Sequence, residues 1–148
     1  MPVVIHLERE IAAPVSVVWN VVTDLGAYAD WNPFVPGCRS SLRPGDPIDM
    51  KVQMFPWFSQ NQRETVFENV AGERFCYGLA GSAITSRRCH ELRPIGPART
   101  SYTSHFELSG WMSGLVQVLL GSRLEHGFTS MTDALVVRCE SLAQAASR

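Results

Sequence analysis

Arg88 and His90, two residues apart in the segment Thr85 to Arg93, are the strongest candidates for chemistry in this chain of 148 residues. Alternation along a strand places Arg88, His90 and Leu92 on one face and Arg87, Cys89 and Glu91 on the other, and the apolar Leu92 marks the first face as inward. An imidazole titrates near neutral pH and suits general acid–base work, and a guanidinium beside it suits an anionic or enolate oxygen. Arg9 and Tyr102, on otherwise apolar strand faces, add hydrogen-bond donors. The same residues also admit a structural reading, in which Arg9 and Arg88 reach water near strand ends or pair with Glu125 and His90 is a hydrogen-bonded core residue. Both readings stay open at the level of sequence.

Glu125 falls near the inward edge of a helical apolar stripe, where a desolvated carboxyl would have a raised pKa. An aromatic inventory of Trp31, Trp57, Phe58, Phe67, Phe75, Tyr77 and Trp111 could wall a cavity suited to a ring system, or simply fill a core. Other chemistry lacks its residues. There is no HExxH, no CxxC and no closely spaced His/Asp set, and Cys89 and His90 point to opposite faces, so no metal site is expected. No phosphate loop, GxGxxG or GxSxG elbow is present, so no nucleotide or other cofactor is expected.

Composition bounds the remaining classes. With 45% hydrophobic and 18% charged residues the chain suits one globular domain spanning 1–148. A net charge of −1, a pI near 6.4 and scattered arginines supply no basic field for nucleic acid. The amino-terminal residues lack a signal-sequence pattern, and no apolar run approaches the ~20 residues of a membrane span, so a cytoplasmic location is expected. In a reducing compartment the four dispersed cysteines, Cys38, Cys76, Cys89 and Cys139, read as free thiols.

The elements that must position these side chains follow from periodicity. Val3 to Ile11 alternates as a half-buried strand, with Arg9 the exception on its apolar face. Pro14 then starts a short helix over Val15 to Val22, and Asp24 caps a second helical turn through Tyr28. Trp31-Asn32-Pro33-Phe34 forms a rigid loop, because proline forbids helix at the residue before it. Pro36-Gly37 and Pro44-Gly45-Asp46-Pro47 punctuate a hairpin whose second strand sets Ile48, Met50, Val52 and Met54 on one face. Gln60 to Val70, Arg74 to Ala80 and Thr85 to Arg93 continue as a meander. A last strand, Thr100 to Ser109, turns Tyr102, Ser104, Phe106 and Leu108 to one side.

The final third, Trp111 to Leu142, reads as one long amphipathic helix. Leu115, Val118, Leu119, Ser122, Phe128, Met131, Leu135, Cys139 and Leu142 are assigned to its sheet-facing stripe. Val116 and Leu120 then lie off that stripe, under the Trp57-Phe58 loop, in a lid, or at a homodimer or membrane contact. Roughly seven strands at ~4.8 Å make a sheet more than ~30 Å across, whereas a helix is only ~10 to 12 Å wide. Such a sheet covers its apolar face only by curling around the helix, and curling leaves an internal space. That space is filled by side chains or kept open for a ligand.

The residues Ile11-Ala12-Ala13-Pro14-Val15-Ser16-Val17-Val18-Trp19, Thr23-Asp24-Leu25 and Tyr28-Ala29-Asp30-Trp31-Asn32-Pro33-Phe34 together resemble the opening of the START-like helix-grip (SRPBCC) superfamily, in particular its polyketide cyclase/dehydrase-like bacterial branch. The Phe106-Glu107-Leu108-Ser109-Gly110 strand end and a helix carrying Gly127-Phe128, Met131, Ala134-Leu135 and Glu140 are similar too. The resemblance implies an α+β helix-grip fold: a curved antiparallel sheet of about seven strands around the long C-terminal helix, two short helices closing one end, and a cavity for a lipid, polyketide or other hydrophobic molecule. Fold and chemistry are loosely coupled in such superfamilies. The expected partner is therefore a hydrophobic small molecule. The residues expected to meet it are Arg9, Trp31, Phe34, Met54, Trp57, Phe67, Phe75, Tyr77, Tyr102, Phe106, Leu115, Leu119, Glu125 and Phe128, with His90 and Arg88 as the catalytic pair if the protein is a cyclase or dehydratase. A protein-interaction module using Val116 and Leu120 is the third reading.

Overall fold

The computed structural model describes residues 2–147. Seven antiparallel strands form one sheet in the order β1-β7-β6-β5-β4-β3-β2. They are β1 (Val3–Ile11), β2 (Gly37–Ser40), β3 (Pro47–Phe55), β4 (Phe58–Val70), β5 (Arg74–Gly78), β6 (Thr85–Gly96) and β7 (Arg99–Ser109). Between β1 and β2 lie the helix α1 (Val15–Thr23) and a 3-10 helix, Leu25–Asp30; the chain closes with α2, Ser113–Ala146. This is the helix-grip arrangement, in which a curved sheet wraps one long helix.

Two features make the sheet close on α2. At one edge, Arg9 of β1 donates from Nε to Asp133 at 3.1 Å, and the Ala12 amide donates to the Glu140 carboxylate at 2.9 Å. Near the other edge, Arg123 Nε donates to the Met54 carbonyl of β3 at 3.1 Å, with its guanidinium over the Phe55 ring. The 34-residue helix, about 50 Å long at 1.5 Å per residue, is thus tied to both sides of the sheet it crosses. Its start is fixed by Gly110, whose φ of 106° lies in the left-handed region and whose missing side chain leaves room for the Ala83 carbonyl. That carbonyl accepts the Met112 amide at 3.1 Å.

Strand parity holds as the sequence predicts. The inward rows are Ser86, Arg88, His90 and Leu92 on β6 and Tyr102, Ser104 and Leu108 on β7, all buried. At the α1 end these rows meet Ile11, Val18, Val22, Tyr28, Met131 and Leu135 in a dense core. Asp24 stands at the start of the 3-10 helix without a side-chain capping bond. Asn32 does the capping work in the next loop: its Oδ1 accepts the amides of Phe34 at 3.0 Å and Val35 at 2.8 Å, which turns the Phe34 ring inward. Gly127 provides the space for that ring, since a Cβ there would collide with it.

The helix phase differs from the sequence expectation. Leu115, Val118 and Leu119 are exposed, Val118 at 83%, whereas Val116 and Leu120 turn inward with Leu124 and Phe128. The reason is angular. Leu119 and Phe128 are nine residues apart, which at ~100° per residue puts them on opposite sides of one helix. The stripe that reaches Phe128 runs back in steps of four through Leu124, Leu120 and Val116. This removes the basis for assigning Val116 and Leu120 to a lid or subunit contact.

The cysteine expectation is also corrected. Cys76 and Cys89 form a disulfide, and Cys38 and Cys139 are free. The antiparallel register of β5 and β6 sets Cys76 directly opposite Cys89 with Cα atoms 4.2 Å apart, a juxtaposition that linear spacing without a CxxC motif does not reveal. The bridge lies on the face opposite Arg88 and His90, flanked by ion pairs of Arg74 with Glu68 and Glu91. Alkylation of the denatured, unreduced protein should therefore label two thiols; labelling of four would remove the bridge. A Cys76→Ala/Cys89→Ala variant should lose about 2 to 4 kcal/mol in urea melts.

Candidate functional site

Packing fills the concavity between sheet and helix only at the α1 end. Beyond that end lies a cavity of about 340 Å³. Its helix wall is apolar, built from Val116, Leu120, Leu124 and Phe128, and its far wall is formed by Phe106 and Leu108 of β7. Met50, Val52 and Met54 of β3 and Phe34 and Val35 of the preceding loop close the opposite side. Leu79 and Ile84 lie toward the partly exposed rim.

Against these apolar walls stands one polar strip on β4. Gln60, Gln62 and Glu64 point inward, opposite Val52, Met50 and Ile48 in the β3 register. Glu64 is 9% exposed and accepts a hydrogen bond from the Gln62 amide. Burial pushes its carboxyl up from the ordinary 4.5 to about 7, with the Gln62 amide and the Arg88 charge acting the other way. Glu64 was not among the residues singled out from sequence. Its signal is present: Val66, two positions on, is apolar, and parity carries the same face back through Glu64, Gln62 and Gln60.

Arg88 completes the strip from β6 and is 2% exposed. Its Nη1 donates to Ser104 Oγ at 2.7 Å and to the Cys89 carbonyl at 3.2 Å, and its guanidinium lies over the Phe128 ring at 4.8 Å. Its Nη2 meets only the Met131 sulfur at 3.8 Å, and its Nε is buried without a partner. Among the described residues Arg88 enters no salt bridge. A buried guanidinium with no carboxylate within 4 Å is expensive to maintain in a protein interior.

The sequence-level pair is separated by this geometry. Arg88 borders the cavity, whereas His90, fully buried, sits deeper in the wall. His90 Nδ1 shares a 2.6 Å hydrogen bond with the Tyr102 hydroxyl, and its ring stacks on Phe75. Burial, and then the Arg88 charge, hold its pKa well below the usual histidine value, so the imidazole is neutral. Tyr102 and Phe75 belong to the same packed layer and do not border the cavity.

Of the other predicted contacts, Phe34, Met54, Tyr77, Phe106 and Phe128 border the cavity with Arg88. Arg9 is engaged with Asp133 at the sheet edge. Phe67 lies on the outer face beneath Arg87. Trp31 packs edge-on against Tyr28 in a separate groove with Arg138 and Leu142. Trp57, Leu115, Leu119 and Glu125 are exposed, so these residues do not form the cavity wall. Trp57 stacks on Phe55 at the β3–β4 turn; Leu115 and Leu119 lie on the outward side of the helix for the angular reason given above, and Glu125, about 100° round from Leu124, is exposed at the edge of the stripe. Among the described residues no group of three His, Cys, Asp or Glu side chains could hold a metal ion, and no helix is long and apolar enough to cross a membrane.

The raised Glu64 carboxyl gives a pH signature. Between about 4.5 and 7 the unfolded chain has released this proton while the folded chain retains it, so folding stability falls as pH rises through that window. Glu64→Gln removes the effect. In urea melts its stability relative to the unmodified protein should rise by on the order of 2 to 3 kcal/mol from pH ~4.5 to pH ~8. A difference that stays constant across this range would show that Glu64 is solvated.

A family model described as polyketide cyclase / dehydrase and lipid transport matches residues 2–140. No curated protein matches the chain in sequence. Solved structures align over nearly the whole fold. A protein from Nitrosomonas europaea is 22% identical, covering 97% of this chain and 96% of its own, with a TM-score of 0.69. A START superfamily protein from Mycobacterium smegmatis is 21% identical over 94% of this chain and 98% of its own, with a TM-score of 0.72. The Zhui aromatase/cyclase of a Streptomyces species is 15% identical over 100% of this chain and 97% of its own, also at 0.72. At these identities the likeness is one of fold.

Proposed function

Because the chain belongs to the polyketide cyclase / dehydrase and lipid transport family, we propose that it binds a hydrophobic small molecule within the sheet–helix cavity, with a polar end of that molecule on Arg88. The observation that carries this reading is the pairing of an unfilled apolar space with a buried guanidinium that has no carboxylate partner. A core selected only for stability would replace that charge with an apolar side chain of similar volume. A cavity that takes a ligand needs one or two fixed polar groups to orient it, and the β4 strip and Arg88 supply them.

A second reading, turnover of the bound molecule, is favoured by one specific observation. Glu64 has a carboxyl that titrates near neutrality and stands on the cavity surface, which is the property required of a general acid–base. In that reading Glu64 carries the proton and Arg88 steadies a developing oxyanion, while His90 and Tyr102, hydrogen-bonded to each other behind the wall, touch no substrate. A fold shared with an aromatase/cyclase does not decide between binding and turnover.

The test is native mass spectrometry of the purified protein, followed by titration with a hydrophobic fluorescent probe such as 1-anilinonaphthalene. A stoichiometric non-covalent adduct, or saturable probe binding at one site, is expected. Leu120→Trp places a larger ring in the cavity and should weaken binding at least ~tenfold with the circular dichroism unchanged. Probe binding that is unaltered by Leu120→Trp would place the ligand elsewhere. Absence of both adduct and probe binding would mean that the space is not a ligand site.

A further inference from the structure

The cavity holds two ionisable groups of opposite sign that do not neutralise each other. Arg88 and Glu64 border the same space from β6 and β4, with Tyr77 of β5 between them in the sheet. Tyr77 pairs with Arg88 on one side and with Val66 of β4 on the other, so Glu64 lies two strand spacings of ~4.8 Å across and two residues along the strand from Arg88, and their side chains do not meet within 4 Å among the described ion pairs. Glu64 is turned to Gln62, and Arg88 to Ser104. The net charge of the cavity therefore depends on whether Glu64 carries its proton.

We propose that the cavity selects a hydrophobic monoanion, its carboxylate or equivalent oxyanion held by Arg88, and that Glu64 admits this anion as the neutral acid and disfavours it as the carboxylate. This rests on the ligand-binding reading above and names the class of ligand that the site takes. The chemistry is that of charge compensation in a medium of low polarity. A guanidinium lacking a counter-ion recovers the most from an anionic acceptor, because charge-assisted hydrogen bonds are roughly twice as strong as neutral ones. A second anion in the same apolar space offsets that gain by like-charge repulsion.

The other titratable groups on this space or packed behind its wall do not compete for the role. The Tyr77 and Tyr102 phenols are pushed up by burial and stay neutral. The Cys38 thiol, on β2 behind the same wall, is pushed up to about 12. His90 is held neutral by burial. The residues that α2, β3 and β7 contribute to the wall, including Leu124, Phe128, Met50 and Leu108, do not titrate. His126 and Arg123 border a separate groove beside Phe34 and Met54. Near neutral pH, Glu64 is thus the cavity group whose charge changes.

The experiment compares 2-naphthoate with 2-naphthamide, which share a ring system and differ in charge, by titration calorimetry between about pH 5.5 and 8.5. Naphthoate should bind roughly tenfold tighter than the amide at the acid end, with the preference shrinking as pH rises through the titration of Glu64. Glu64→Gln should keep the preference at every pH, and Arg88→Met should abolish it while still binding the amide, which also shows that the variant is folded. Equal affinity for the two probes overturns the inference and leaves the hydrophobic-binding reading standing. So does a preference that survives Arg88→Met, or a pH dependence that survives Glu64→Gln. Failure of both probes to bind overturns both readings together.

Discussion

An uncompensated positive charge inside an apolar half-core is the constraint around which the rest of this structure is arranged. Arg88 is held by one serine hydroxyl, one backbone carbonyl and the face of Phe128, and none of these carries a full negative charge. Desolvating a guanidinium without a carboxylate partner works against folding. The surrounding architecture must supply the stability that offsets it. The filled half of the interior does so, with Ile11, Tyr28, Phe75, Tyr102, Met131 and Leu135 packed almost without exposure.

Division of the interior into a filled end and an open end follows from how the sheet meets the helix. Contacts at β1 and β3 fix α2 across the sheet, Arg9 and Glu140 on one side and Arg123 on the other. Beside α1 the concavity is plugged by Val18, Val22 and Leu25 from the short helices. Away from α1 no helix or strand among the described residues fills it, and the space between β4, β6 and the amino-terminal half of α2 remains, closed on one side by Phe34 and Val35. The polar strip of β4 and Arg88 face this space, so charge and void coincide. That coincidence, more than either feature alone, supports a ligand site over a packing fault.

Much of the fold was legible in the sequence, because period-two alternation in seven segments and a long helical stripe are both signals of burial. Residues His90 and Arg88 were placed on the inward face from Leu92 alone. The parity argument stops at the sheet surface, however: it states which face a side chain takes and says nothing of whether packing or a void lies in front of it. His90 and Arg88 share a face and differ in depth for that reason. Glu64 shares a parity face with Val66, but the polar run Gln60-Asn61-Gln62-Arg63-Glu64 carries no apolar residue that marks either face as inward. The helix stripe was misphased before Phe128 because Leu115, Val118 and Leu119 form an internally consistent apolar set on the wrong side. The Cys76–Cys89 bridge depends on the β5–β6 register, a long-range property that no local spacing encodes.

The most direct measurement is the stability of the ligand-free Arg88→Met protein against the unmodified one, by urea unfolding of both after removal of any bound molecule. If Arg88 is kept for a ligand and not for the fold, the methionine variant should be as stable as the unmodified protein or more so, as is often found when buried ion pairs are replaced by well-packed apolar side chains. A loss of about 3 kcal/mol or more would instead show that Arg88 is a structural residue whose charge the protein compensates internally, and would contradict the account.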